Sequence, residues 1–172
     1  PSDISNADKL ILPGVGHFKM AMQNLSDRNL IDVLNEVVMV RKKPILGICL
    51  GMQLFANFSE EGNAKGLGWI DGDVVRFRVS NTQKFKIPHM GWNNAQHSKE
   101  SLLLKGIPDN SEFYFVHSYH MKLNDKNAEL TTTDYDYNFT SSVEKDNIFG
   151  VQFHPEKSHN VGEQMLRNFV EL

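Results

Sequence analysis

The chain has one cysteine, six prolines, no excess of basic charge and no long apolar run, and each shortage removes a class of protein. With a single Cys there is no internal disulfide and no thiolate cluster for structural zinc, so a cytoplasmic setting is expected. A formal charge of -3 and a pI near 6.2 argue against a nucleic-acid binder, whose footprint is a basic patch. No stretch approaches the roughly 18 apolar residues of a membrane span, and the opening residues Pro1 to Asp8 are polar rather than a signal peptide. What remains is a chain of 172 residues, 40% apolar, read as one soluble domain over 1–172. That length buries roughly 70% of the surface its unfolded form exposes.

The lone cysteine stands in Pro44-Ile45-Leu46-Gly47-Ile48-Cys49-Leu50-Gly51-Met52-Gln53. Pro44 opens a strand, Ile45 to Ile48 is a two-sided apolar run of the kind buried in a parallel sheet, and Leu50 begins a run of helix formers. Glycines on both sides, in the pattern G-x-C-x-G, suit a sharp strand-to-helix turn like the nucleophile elbow of serine hydrolases. A sulfur at a helix N-terminus is favoured as thiolate by the free amides and the dipole. A buried structural cysteine is the alternative, and only a base elsewhere in the chain decides between them.

From the N-terminal end, Lys9 to Leu12 reads as a strand running into Pro13-Gly14-Val15-Gly16, either an anion-facing loop or a plain turn. Met20, Leu25, Leu30, Leu34, Val37 and Val38 recur at helical spacing in two runs, with Ser26 or Asp27 as expected caps. Two strand-plus-helix units imply an α/β layered sheet with its crevice at the carboxyl ends of parallel strands. From Asp73 to Val79 the period changes to that of strands, and an antiparallel portion follows. It takes in Ile87 to Asn93, one strand from Glu112 to His120, and further strands at Leu130–Thr133, Phe139–Glu144 and Ile148–Phe153. In a strand, side chains three apart lie on opposite faces, so His117 and His120 do not read as a metal pair. Val161 to Phe169 reads as a closing amphipathic helix.

The base is found where the last strand runs into His154-Pro155-Glu156. Pro155 holds His154 extended, and residues two apart in extended chain share a face, so Glu156 can orient the His154 ring. The other ring nitrogen is then free to take a proton from Cys49. A Cys-His-Glu triad implies acyl transfer through a thioester, and that needs an oxyanion hole; the Leu50 amide and an amide of Gly14-Val15-Gly16 are candidates.

Five motifs, Leu12–Gly16, Gly47–Gln53, Pro88–Asn93, Phe115–Tyr119 and Gln152–Ser158, together resemble the triad-type (class I) glutamine amidotransferases, most of all the glutaminase subunits of imidazole glycerol phosphate synthase in histidine biosynthesis. The resemblance implies a flavodoxin-like layered fold with a mixed, mostly parallel sheet flanked by helices and an added antiparallel portion. It implies L-glutamine hydrolysis to glutamate and ammonia by Cys49, His154 and Glu156, with Gly14, Val15 and Leu50 at the oxyanion hole and no cofactor or metal. By the same matching Gln53, Glu61, Tyr114, His117, Ser118 and Tyr119 line the glutamine pocket. Ammonia passes in such proteins to a (β/α)8 cyclase subunit in a heterodimer, yielding imidazole glycerol phosphate and an aminoimidazole carboxamide nucleotide; His89, Met90, Trp92 and Lys157 match positions near that interface. Family members begin with a strand, a turn and a helix that have no counterpart before Pro1, so the expectation is an N-terminally incomplete domain. The rival readings are a related amidotransferase supplying ammonia to a surface-polysaccharide sugar, a cysteine hydrolase acting without a partner, and a non-catalytic binding or regulatory subunit.

Overall fold

A computed structural model describes residues 1–172. In chain order its elements are α1 (Ser2–Asn6), β1 (Leu10–Gly14), α2 (Phe18–Asp27), α3 (Ile31–Asn35), β2 (Ile45–Cys49) and α4 (Leu50–Gln53). The strands β3 (Phe58–Ser59), β4 (Ala64–Lys65), β5 (Gly72–Arg76), β6 (His89–His97), β7 (Ser111–His117) and β8 (Tyr119–Leu123) follow. The chain closes with β9 (Glu129–Tyr135), β10 (Tyr137–Lys145), β11 (Ile148–Val151) and α5 (His159–Glu171). No helix is long and apolar enough to cross a membrane.

β2 is the axis of the sheet. It pairs in parallel with β1 on one side and β11 on the other, and all five of its residues are buried. A strand buried on both faces must be apolar on both, which is why the run Ile45 to Ile48 lacks polar alternation. Ile45 packs into one core with Phe18, Val37, Val38 and Phe55, whereas Leu46 and Ile48 join Phe113, Phe153, Met165 and Phe169 in the other. Helices α2 and α3 cover the first core and α5 the second. Met165 and Phe169, four residues apart on α5, are fully buried, as a helix with one apolar face requires.

Antiparallel pairing is more extensive than the expected mostly parallel sheet. Outside β1–β2–β11, the only parallel pair is β3 with β5; β5–β8, β8–β10, β9–β10, β10–β11, β6–β7 and β6–β9 are all antiparallel. Two local expectations also change. Ser26 and Asp27 are not caps: α2 runs through both, because its apolar spacing continues to Leu25, and α3 starts after Leu30. The strand expected from Glu112 to His120 is broken at Ser118 into β7 and β8. The break resets side-chain alternation, so His117 and His120 do not lie on opposite faces; both rings pack on Phe77, at 5.2 and 4.7 Å between centroids. No group of three His, Cys, Asp or Glu side chains is gathered there or elsewhere as a metal site would need.

Candidate active site

Cys49 ends β2 at φ 53° and ψ -110°, a conformation that L-residues rarely adopt and that lifts the side chain off the strand end. The flanking glycines are required by packing. A Cβ on Gly51 would stand 1.7 Å from the Leu12 carbonyl oxygen, and one on Gly47 2.6 Å from the Met52 amide nitrogen and 2.7 Å from the Phe55 ring. Bare backbone at 51 lets β1 lie against the elbow, and the β1–β2 register sets Gly14 opposite Cys49. The Gly14-Val15-Gly16 loop is thereby delivered beside the sulfur, with Val15 and Gly16 on the wall of the cavity that Cys49 and Leu50 also line.

The parallel β2–β11 pair brings the second half of the machinery to the same sheet end. Val151 is the partner of Ile48, and the chain then continues through Gln152 and Phe153 to His154. The turn is pinned by β7. The His154 amide donates to the Tyr114 carbonyl at 2.9 Å, the Tyr114 amide to Ser158 Oγ at 3.0 Å, and Ser158 Oγ to the His154 carbonyl at 2.6 Å. His154 Nδ1 lies 2.7 Å from Glu156 Oε1, the orienting pair expected from the spacing. A carboxylate accepts only, so in the neutral ring Nδ1 carries the proton and Nε2 keeps its lone pair. Nε2 is buried and makes no hydrogen bond, to the sulfur or to anything else. Catalytic hydrogen bonds are often unmade before substrate arrives, and a base waiting with an open lone pair is suited to take the thiol proton.

The sulfur itself rests as a thiol. Burial pushes Cys49 up to about 11, opposed by the Leu50 amide and the Gln152 side chain and reinforced by the nearby Glu156 charge. The expected helix-dipole stabilisation of a thiolate is outweighed, because α4 is one turn long and its dipole correspondingly small, whereas the side chain is almost wholly enclosed. The sulfur therefore depends on a base to become a nucleophile.

The cavity over Cys49 has a volume of about 330 Å³, and Gln53, Glu61, His117, Ser118 and Tyr119 all line it, as the motifs imply. A wider hollow of about 780 Å³ around Lys99 and Lys105 is lined by neither Cys49 nor His154. Glu61 is held by the Phe18 amide at the start of α2, 2.7 Å from its Oε2. His117 contributes a wall rather than a free ring. Its Nδ1 donates to the Tyr119 carbonyl at 2.7 Å and its Nε2 faces His89 Nδ1 at 3.0 Å, so both nitrogens are committed; burial holds the ring neutral, well below its ordinary pKa.

Two expected positions are displaced. Tyr114 does not line the cavity: it lies two residues before Val116 on β7, away from the cavity, where its ring meets Trp92 at 5.9 Å and Lys157 Nζ at 5.8 Å, and its service to the site is through its backbone. His89 is not on the outer surface. It starts β6 facing inward, 3% exposed, between Phe115 and Tyr135, with burial lowering its pKa to about 4. The next outward residues, Met90 and Trp92, are 62% and 45% exposed, as alternation on a strand requires. Gln152, fully buried and donating to Cys49 Sγ at 3.6 Å, is the site residue that sequence reasoning passed over, although it stands in the quoted motif.

The class-I glutamine amidotransferase family model matches residues 2–172. Imidazole glycerol phosphate synthase subunit HisH 2 of Methanococcus maripaludis is 55% identical over 171 residues, 99% of this chain and 84% of that protein. The protein of the same name in Pseudomonas aeruginosa is 52% identical over 170 residues, 99% and 83% of the two chains. Among solved structures, the glutaminase domain of Trypanosoma brucei CTPS with bound acivicin superposes with a TM-score of 0.64 at 18% identity, covering 99% of this chain and 74% of that one. PurLQS from Thermotoga maritima gives 0.66 at 16%, covering 94% and 78%; at such identities these two speak for the fold. By the family match and the identities together, the chain belongs to the class-I glutamine amidotransferases, among the HisH subunits of imidazole glycerol phosphate synthase.

Proposed function

We propose that the chain hydrolyses L-glutamine with Cys49 as nucleophile, His154 as base and Glu156 as its orienter, and delivers the ammonia to a (β/α)8 cyclase subunit in histidine biosynthesis. The observation that carries the chemistry is the His154–Glu156 pair at 2.7 Å, with the far ring nitrogen buried and unengaged, just beyond the end of the strand that pairs beside the cysteine elbow. His154 takes the thiol proton, and sulfur adds to the side-chain amide carbon. The developing oxyanion falls to the Leu50 amide and the Gly14–Val15 peptide. The proton passes from His154 to the amide nitrogen as the C–N bond breaks, releasing ammonia. Water, deprotonated by the same ring, then cleaves the thioester to glutamate and restores the thiol. Glu61 supplies a carboxylate on the cavity wall for the substrate's ammonium group. A free thiol nucleophile suits a cytoplasmic setting.

Met90, Trp92 and Lys157 are the proposed contacts to the cyclase. Trp92 is half exposed, stacks on His159 at 4.8 Å and 7°, and shares its face with Tyr114 and Lys157, so an aromatic patch with a cation lies directly behind the catalytic turn. The rival acceptor to be tested against the cyclase is a surface-polysaccharide sugar. The test is glutamine consumption and ring-product formation by the chain mixed with the histidine-pathway cyclase and its nucleotide substrate, beside Cys49→Ala. Coupled product, lost in the variant, is expected. Glutamine turnover without product would overturn the histidine-pathway acceptor while keeping the glutaminase, and no turnover with or without the cyclase would overturn the glutaminase reading.

A further inference from the structure

The donor on Cys49 Sγ is aimed by a hydrogen-bond chain with only one consistent direction. The Tyr119 carbonyl oxygen can only accept, and Gln53 Nε2 lies 3.1 Å from it, so the amino end of Gln53 must face that way. The same amino group lies 2.9 Å from Gln152 Oε1. Gln152 must answer with its oxygen, which leaves its own amino group turned to the sulfur, 3.6 Å away. Flipping Gln53 would set two oxygens against each other at Tyr119, and flipping Gln152 would set two amino groups together. The Tyr119 oxygen is itself fixed by His117 Nδ1–H, whose tautomer makes His117 Nε2 the acceptor for His89 Nδ1–H; His89 Nε2 in turn faces Asn93 Nδ2 at 3.2 Å. Each contact in the series sets a donor against an acceptor, and Gln53, Gln152, His89 and His117 are buried, where a mismatched pair is costly.

We propose that Gln152 is a further catalytic residue: its side-chain N–H, aimed by Gln53 from the Tyr119 carbonyl, holds the negative charge on Cys49 Sγ when His154 removes the proton. This deepens the glutaminase reading and rests on Cys49 being its nucleophile. In that step the S–H bond breaks, the proton moves to His154 Nε2, and the electron pair stays on sulfur. Two donors meet the sulfur at rest, Leu50 N–H and Gln152 Nε2–H. The first is claimed by the oxyanion once the amide carbon is attacked, and Gln152 is the one that remains with the sulfur until the S–C bond is made.

The test measures alkylation of ligand-free protein by iodoacetamide between pH 7 and 10, with intact mass as the readout and Cys49→Ala as the blank. Native protein is compared with Gln152→Met and Gln152→Glu, which are near the native side chain in length. Loss of one buried hydrogen bond to the thiolate raises the thiol's titration by about one pH unit. Because a more basic thiolate is also a better nucleophile, the rate below that titration falls only about threefold in the Met variant. The Glu variant, which sets a carboxylate against the sulfur, falls further. A change in access alone would slow the two equally, so equal rates in the two variants, or a Met variant at the native rate, would overturn the proposal. If circular dichroism shows the position-152 variants unfolded, Gln53→Met leaves Gln152 present but unaimed and is expected to slow alkylation in the same sense; a native rate there would overturn the proposal too. Native protein that turns over glutamine while Cys49→Ala also does so would instead remove the nucleophile reading, which separates the two failures.

Discussion

Replacing Gly51 with alanine adds one methyl carbon at the point where β1 touches the elbow, and that carbon would stand 1.7 Å from the Leu12 carbonyl oxygen and 2.8 Å from its carbonyl carbon. Ordinary contact begins near ~3.5 Å, so β1 and the first turn of α4 must separate by more than about 1 Å. Neither side is a flexible side-chain end. The atoms met are backbone, tied into the β1–β2 ladder at Leu12–Gly47 and Gly14–Cys49. Overpacking commonly costs about 1–3 kcal/mol, and a clash against a fixed ladder belongs at the upper end. The displacement falls on the nucleophile and the Gly14–Val15 peptide together, and misplacing reacting groups by about 1 Å costs on the order of a hundredfold in rate. The assay is urea unfolding alongside the rate of covalent labelling by a glutamine-like diazoketone. Gly106→Ala serves as control: its φ of +74° strains an added side chain, yet nothing lies within 4 Å, so it loses about 1 kcal/mol or so and labels at the native rate. A Gly51→Ala protein with native midpoint and native labelling would refute the close approach and the account of the G-x-C-x-G pattern built on it.

Two further outcomes follow from the geometry. Cys49 is an acid whose pKa rises from 9.0 to about 11 in the folded chain, so the folded state binds its proton more tightly than the unfolded; the stability it contributes is whole below pH 9 and is lost as pH rises toward 11. Two units correspond to about 2.7 kcal/mol, an order-of-magnitude figure, and the expected result is a stability difference between native protein and Cys49→Ala that is constant below pH 9, with native protein losing ground to the variant by that amount as pH rises to about 11 in urea unfolding. Trp92→Ala, half exposed, should leave the isolated chain's thermal unfolding nearly unchanged and weaken cyclase binding by about tenfold or more in calorimetric titration, as an aromatic anchor does.

The sequence was most legible where chemistry and backbone constrain the same residues. Gly47 and Gly51 announced the elbow because no other residue fits against Leu12 and Phe55, and His154-Pro155-Glu156 announced its own pairing, although only His154 is extended as expected and the pair is closed by a 3-10 turn over Pro155–Lys157. The all-apolar β2 likewise signalled burial on both sides. Legibility failed where a side chain's role is set by a partner distant in the chain. His89 matched a position near the expected partner interface but turns inward to His117, 28 residues away, and Gln152 meets Cys49 and Gln53 only through the β2–β11 pairing. The break at Ser118 was hidden because Glu112 to His120 has strand-forming residues throughout; the bend is imposed by β6 pairing up to His117 and β5 pairing from Tyr119 onward. Thiol protonation was misjudged for a related reason, since the sequence displays a helix start but not how short the helix is or how deeply the sulfur lies.

One backbone oxygen links recognition to reactivity. The Tyr119 carbonyl accepts from His117 on the cavity wall and from Gln53, whose other N–H sets the amide facing the sulfur. A designer wishing to admit a longer or branched amide therefore has unequal walls to work with. Reshaping the His117–Tyr119 side retunes the nucleophile along with the fit, whereas the Glu61 side, held by the Phe18 amide, has no hydrogen bond in that series. Altered substrate choice with undiminished sulfur chemistry is to be sought on that second wall.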